Sequence, residues 1–273
     1  TFKNNREGYK SKREPYVIDA FTFYNELKML EFRLTELNDV VDYFILVEAT
    51  KTFANNDKEL YYDKNKEKFS KFKNKIIHII VDDMPEGEDS WKREYFQRNQ
   101  ILRGTKKLDL QDNDILIITD VDEIPDTNMI KEFKNSGKKG IYSLDMDFYY
   151  YNFNTKKLLA QERGGWGFAK ILTFDHFNKS ANDIRRGFEG VMIDGDIPKG
   201  GWHLSYFGDV DLIINKIKNF SHQEYNNQKY LDKKKIQGTI NNNKDLFGRE
   251  SENWIKVDIK DIDYLPKYYK MLL

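Results

Sequence analysis

The chain has 273 residues, with 45 lysines and arginines against 45 aspartates and glutamates, so its formal charge is zero. A general nucleic-acid binder would carry a basic excess, so nucleic acid is not an expected partner. Cysteine is absent, which excludes a disulfide framework, a thiolate zinc site and a cysteine nucleophile, while an aromatic content of 15% supplies a sizeable core.

Residues 1–14, rich in Lys, Arg, Asn and Glu, read as a solvated tail, and 15–273 as a single domain without repeats or Pro/Gly/Ser linkers. The β-branched and aromatic run 16–24 predicts a strand. Leu27, Leu30, Leu34 and Leu37 then lay one apolar stripe along a helix over 25–37. A second strand over 40–47 ends in Glu48, a short helix is expected over 64–74, and a third strand over 75–81 precedes Asp82 and Asp83. Helical spacing over 91–107 and a fourth strand over 114–119 complete a β-α-β-α-β-α-β order. Strands that are apolar throughout and alternate with helices predict a mainly parallel central sheet flanked by helices. Ligands of such sheets bind outside the strands' carboxyl ends.

Beyond Pro125 the pattern loosens. A helix near 129–133, strands over 141–153, 168–174 and 201–206, a helix over 209–219 and a short helix after Pro266 are expected, so the chain divides into a regular half, 15–126, and an irregular half, 127–273. No apolar run approaches the roughly 20 residues needed to span a bilayer. No membrane segment is therefore expected in this chain, which leaves its location cytoplasmic or unassigned. The chain opens at Thr1 rather than Met, which leaves an upstream signal, anchor or domain open.

Six Asp-x-Asp triplets occur, so the triplet alone carries little weight. Only Asp120-Val-Asp122 closely follows a run of four aliphatics, and residues i and i+2 of an extended segment project to one side. Two carboxylates and Glu123 thus arrive at the ligand edge, ahead of a turn set by Pro125. Such concentrated negative charge is costly unless neutralised, and a hard divalent ion, Mn²⁺ or Mg²⁺, fits that need. An acidic turn capping the next helix is the alternative. His203, in a Gly-Gly-Trp-His block, is a candidate to complete the metal sphere or to bind phosphate; a structural histidine is the alternative there. Arg93 and Gln97, one turn apart on the helix before the acidic strand, and the pair Arg185 and Arg186 offer groups for a diphosphate, with Arg98 placed on another helix face. P-loop, dinucleotide and Gly-x-Ser-x-Gly signatures are missing, which sets aside kinase, GTPase, dehydrogenase and hydrolase readings.

The blocks Val17-Ile-Asp-Ala-Phe-Thr-Phe-Tyr-Asn-Glu-Leu27, Val47-Glu-Ala-Thr50, Ile118-Thr-Asp-Val-Asp-Glu-Ile-Pro125 and Gly200-Gly-Trp-His-Leu-Ser205, in that order, resemble glycosyltransferase family 17. The resemblance implies a glycosyltransferase-A-type α/β fold and a UDP-sugar donor, with UDP-GlcNAc first among candidates. It also implies transfer with inversion to a hydroxyl of a glycan or glycoprotein acceptor. The halves then become a nucleotide-sugar half and an acceptor half. Carried over, Asp120, Asp122 and His203 would be metal ligands, Asp120 would also face the nucleotide, and Glu48 would face uridine or ribose, against a structural or helix-capping alternative. Arg93, Gln97 and Arg185 would assist the diphosphate. Inversion needs a carboxylate to take the acceptor's proton, with Glu189, Asp147 and Asp194 as candidates. Trp166, set among glycines, is a candidate for stacking on a sugar. A non-catalytic carbohydrate-binding module and a nucleotidyltransferase are the competing readings.

Overall fold

A computed structural model describes residues 13–158, 165–188, 190–249 and 253–273. The first half is four strands, the first three each followed by helix: β1 (Val17–Phe23), α1 (Leu27–Leu37), β2 (Tyr43–Ala49), α2 (Tyr61–Asn65) with a 3-10 segment (Lys66–Phe72), β3 (Ile76–Val81), α3 (Ser90–Asn99), α4 (Ile101–Thr105) and β4 (Ile115–Asp120). β1 pairs in parallel with both β2 and β4, and β2 with β3, giving the order β3-β2-β1-β4. The strand expectations hold because each strand is apolar on both faces. In β1, Val17 and Phe21 join one core cluster with Leu30, Leu34 and Trp202, while Ile18 and Ala20 join another with Ile45, Val47 and Ile118.

The helix expected over 91–107 breaks at Gln100 into α3 and α4. The second piece lies tight on the sheet, since a Cβ on Gly104 would sit 2.4 Å from the Ile45 side chain. The helix expected over 64–74 is largely a 3-10 segment.

The second half overturns the expectation of a mainly parallel sheet. After β4 come β5 (Glu123–Pro125), α5 (Thr127–Ser136), β6 (Ile141–Tyr150), β7 (Thr155–Lys157), β8 (Lys170–Thr173), α6 (Ala181–Arg186), β9 (Gly195–Ser205), α7 (Val210–Asn219), α8 (Lys233–Asn241) and β10 (Trp254–Lys256). β8 runs antiparallel to both β4 and β6, β7 antiparallel to β6 and β10, and only β9 returns parallel to β6. The result is a ten-stranded mixed sheet among the described residues. Parallel neighbours need long crossovers, and β6 and β7 are joined by a turn of only a few residues. β5 and β9 lie off the main path and pair with each other, Glu123 opposite His203 and Pro125 opposite Gly201. The turn expected at Pro125 is thus a short strand. Among the described residues, no helix is long and apolar enough to cross a membrane.

Candidate active site

The carboxyl ends of β1 and β4 open into a cavity of about 330 Å³, walled by α3, α6, α7 and the inner face of β6 and β9. Its floor is the acidic turn 120–123, and that turn is fixed from beneath. Arg33 projects from the apolar stripe of α1 and is wholly buried. Its Nε and Nη2 donate to the buried Asp19 carboxylate at 2.8 and 2.5 Å, and its Nη1 donates to the carbonyls of Asp120, Val121 and Glu123 at 3.0, 3.3 and 2.5 Å. Those carbonyls would otherwise have lost their sheet partners where the strand ends, at a cost of about 1–3 kcal/mol each.

Asp120 and Asp122 diverge. Asp120 Oδ1 accepts from Thr22 Oγ1 at 3.1 Å and from Arg98 Nη2 at 3.0 Å, and its Oδ2 accepts from Arg185 Nη2 at 2.7 Å. Burial alone would raise this carboxyl's pKa, but the guanidiniums of Arg185 and Arg98 outweigh it and hold the group well below the ordinary aspartate value. Arg185 also forks onto Glu123 at 2.6 and 2.7 Å, and Trp166 Nε1 donates to the same carboxylate. Asp122 instead faces α7, where Lys216 Nζ donates to its Oδ2 at 2.8 Å. Here too burial pushes upward and loses, to Lys216 and His203, so Asp122 is held below its usual range.

His203 is placed by the β5–β9 pairing, its ring between Phe148 and Trp166 with centroids 4.3 Å from each. Burial lowers its pKa more than Asp122 raises it, which favours the neutral ring. Its Nε2 stands 3.7 Å from Asp122 Oδ1, too far for a hydrogen bond, and its Nδ1 is buried without a hydrogen-bond partner among the described residues. Ligands of a small divalent ion sit at about 2.1 Å, so two ligands of one ion can lie up to about 4 Å apart. Asp122 and His203 therefore fit Mn²⁺ or Mg²⁺ as a pair, with the remaining positions left to substrate oxygens and water as such ions prefer. The expected trio does not form: among the described residues no three His, Asp or Glu side chains converge, because Asp120 is drawn to the arginines.

The other candidates scatter. Gln97 lines the cavity, its Nε2 donating to the Val47 carbonyl at 2.9 Å. Arg93 does not line it, being used to tie the Phe53 and Gly87 carbonyls. Glu48 is likewise outside the lining. It is fully buried, accepts from the Tyr62 backbone N–H at 3.1 Å and from His78 Nε2 at 3.0 Å, and lies 3.6 Å from Lys58 Nζ, a structural and helix-capping arrangement. Asp147 alternates away from the cavity-facing Phe148 and Tyr150 and pairs with Lys156 at 2.6 Å. Asp194 sits at the opposite, amino edge of the sheet, where it accepts from the Ile141 backbone N–H at 2.8 Å. Glu189 lies outside the described residues. Trp166 does line the cavity.

Sequence reasoning passed over Arg98, Lys216 and Arg33. Two of them carried a legible signal: Arg33 interrupts the buried leucines of α1, and Lys216 adjoins the buried Ile213 and Ile217 of α7. A cation on a buried stripe needs an anion to face.

The family model described as glycosyltransferase family 17 matches residues 4–272. The chain belongs to glycosyltransferase family 17. The β-1,4-mannosyl-glycoprotein 4-β-N-acetylglucosaminyltransferases of Rattus norvegicus and Homo sapiens are each 30% identical to it over 115 residues, which is 40% of this chain and 21% and 22% of theirs. The match thus spans about a fifth of the length of those relatives. Among solved structures, a mannosyltransferase from Pyrobaculum calidifontis in complex with GDP-Man and Mn²⁺ aligns with 76% of this chain and 62% of its own, at a TM-score of 0.43 and 12% identity.

Proposed function

We propose that this family 17 chain is a metal-assisted inverting glycosyltransferase of the glycosyltransferase-A type. In this reading it moves a sugar, GlcNAc from UDP-GlcNAc first among candidates, to a hydroxyl of a glycan acceptor. The observation that carries the reading is the approach of His203 Nε2 to Asp122 at 3.7 Å, at the carboxyl edge of the parallel strands and inside a cleft rich in cations and aromatic rings. Residues 15–126 then serve the nucleotide sugar and 127–273 the acceptor.

Asp122 and His203 would hold the ion, which when bound neutralises charge growing on the departing diphosphate. The chain's own groups do the rest. Arg98 and Arg185 keep Asp120 ionised and oriented beside Thr22, where it can accept from a ribose hydroxyl. Arg33 holds the backbone of that turn, so the carboxylates need no rearrangement when substrate arrives. Trp166 and Phe148 support the His203 ring and keep water from it. The proton of the attacking hydroxyl needs a carboxylate across the sugar. Asp147 and Asp194 are held outside the cleft, so Glu189 carries this part of the proposal, and Glu189→Gln tests it through turnover with donor binding intact.

The deciding experiment is a panel of nucleotide sugars with and without EDTA, scored by donor turnover and calorimetry. UDP-GlcNAc should bind and turn over only with divalent metal, and Asp122→Ala should lose at least about a hundredfold in transfer while remaining folded. Binding of no UDP-sugar in the presence of metal would refute the reading.

A further inference from the structure

Arg185 and Arg186 are neighbours at the end of α6, and both line the cleft, but they meet different surroundings. Arg185 is buried and its donors are taken by Glu123 and Asp120. Arg186 is exposed, and among the described residues it makes no hydrogen bond or ion pair. Aromatic rings surround it instead. Its guanidinium carbon lies 5.3 Å from the centroid of Phe168, 5.8 Å from Phe188 and 5.9 Å from both Trp91 and Tyr95.

Ring faces attract a cation without occupying its N–H groups. A guanidinium framed in this way is held in place while its donor fork stays available, and that fork matches two oxygens of one phosphoryl group. Other cations of the cleft lack this availability: Arg98, Lys216, Lys51, Lys58 and Arg249 each already face a carboxylate.

We propose that Arg186, in its aromatic frame, is a phosphate-binding subsite of the cleft and receives the diphosphate of the sugar nucleotide. Arg93 and Arg185, the arginines that the sequence offers first for this role, are committed to backbone carbonyls and to the acidic turn. The identity of the ligand rests on the donor reading above, whereas the anion site itself does not. Arg186 donates to two non-bridging phosphate oxygens and stays charged throughout. No proton moves, and its hold tightens as negative charge accumulates on the departing phosphate.

The test is calorimetry of the full chain with magnesium, titrated with UDP, uridine and inorganic pyrophosphate, for wild type, Arg186→Gln and Arg186→Lys. The exposed position lets both variants fold, which a melting curve checks. Arg186→Gln should weaken UDP and pyrophosphate about ten- to a hundredfold and leave uridine unchanged, with Arg186→Lys recovering part of the loss. Unaltered UDP and pyrophosphate affinity in Arg186→Gln overturns the subsite and leaves the donor reading standing. Pyrophosphate binding that Arg186→Gln abolishes, in a protein that ignores UDP, upholds the subsite and overturns the donor reading. A wild type that binds neither ligand overturns both.

Discussion

Asp120 and Asp122 leave the same turn and meet different partners, arginines for the first and Lys216 with His203 for the second. Spacing alone placed both carboxylates on one side of an extended segment, which their divergence overturns, whereas the need for countercharge was readable. The identity of the countercharge was not, because Arg98, Arg185 and Lys216 come from 22, 65 and 94 positions away and nothing local marks their aim. Lys170 shows the same long-range coupling in its titration. It donates to the Gly167 and Phe168 carbonyls, and burial, helped by Arg185, pushes its pKa down from 10.5 to about 8. The folded protein therefore holds this proton less tightly than the unfolded chain does. The resulting handicap is complete below pH 8, fades as pH climbs from about 8 to 10.5, and is gone above that. Urea midpoints of wild type should accordingly gain on those of Lys170→Met across this interval, and parallel pH profiles would count against Lys170 as the cause.

At the level of elements, the four parallel strands were legible because continuous apolar runs between helical stripes admit few other arrangements. The later elements were harder to see. β9 begins Gly195-Asp-Ile-Pro-Lys-Gly-Gly, a composition that reads as loop, yet its register on β6 and β5 decides where His203 stands. α6 is only six residues long, and α8 buries only Ile236. The glycines of β9 explain the choice of residue. Gly201 has φ of 139°, and a Cβ there would come within 2.1 Å of the Ile124 carbonyl oxygen. Gly201→Ala should therefore prise β9 from β5, costing about 2 kcal/mol or more and, on the proposed reading, weakening metal-dependent UDP binding through misplacement of His203. A melting temperature and UDP affinity equal to wild type would show that the β5–β9 contact can yield.

Over the whole molecule, two core clusters cover the two faces of the parallel strands, and a third, aromatic one lies under α7 and α8 with Phe148, Tyr150, Tyr206 and Phe247. The wall of the cleft that belongs to this third cluster rests on short elements, and every residue of α8 except Ile236 is exposed or half-buried. Local opening free energies follow such differences in burial. Hydrogen exchange should thus proceed fastest through α8 and slowest in β1, β2 and β4, and uniform protection across all of them would contradict this division.

The Arg33 anchor gives that division a direction. One guanidinium clasps three carbonyls of the acidic turn, so the turn cannot travel to meet an incoming molecule. On the proposed reading, whatever swing admits a sugar nucleotide and releases its diphosphate is made by the opposite jaw, with the acidic turn acting as its anvil.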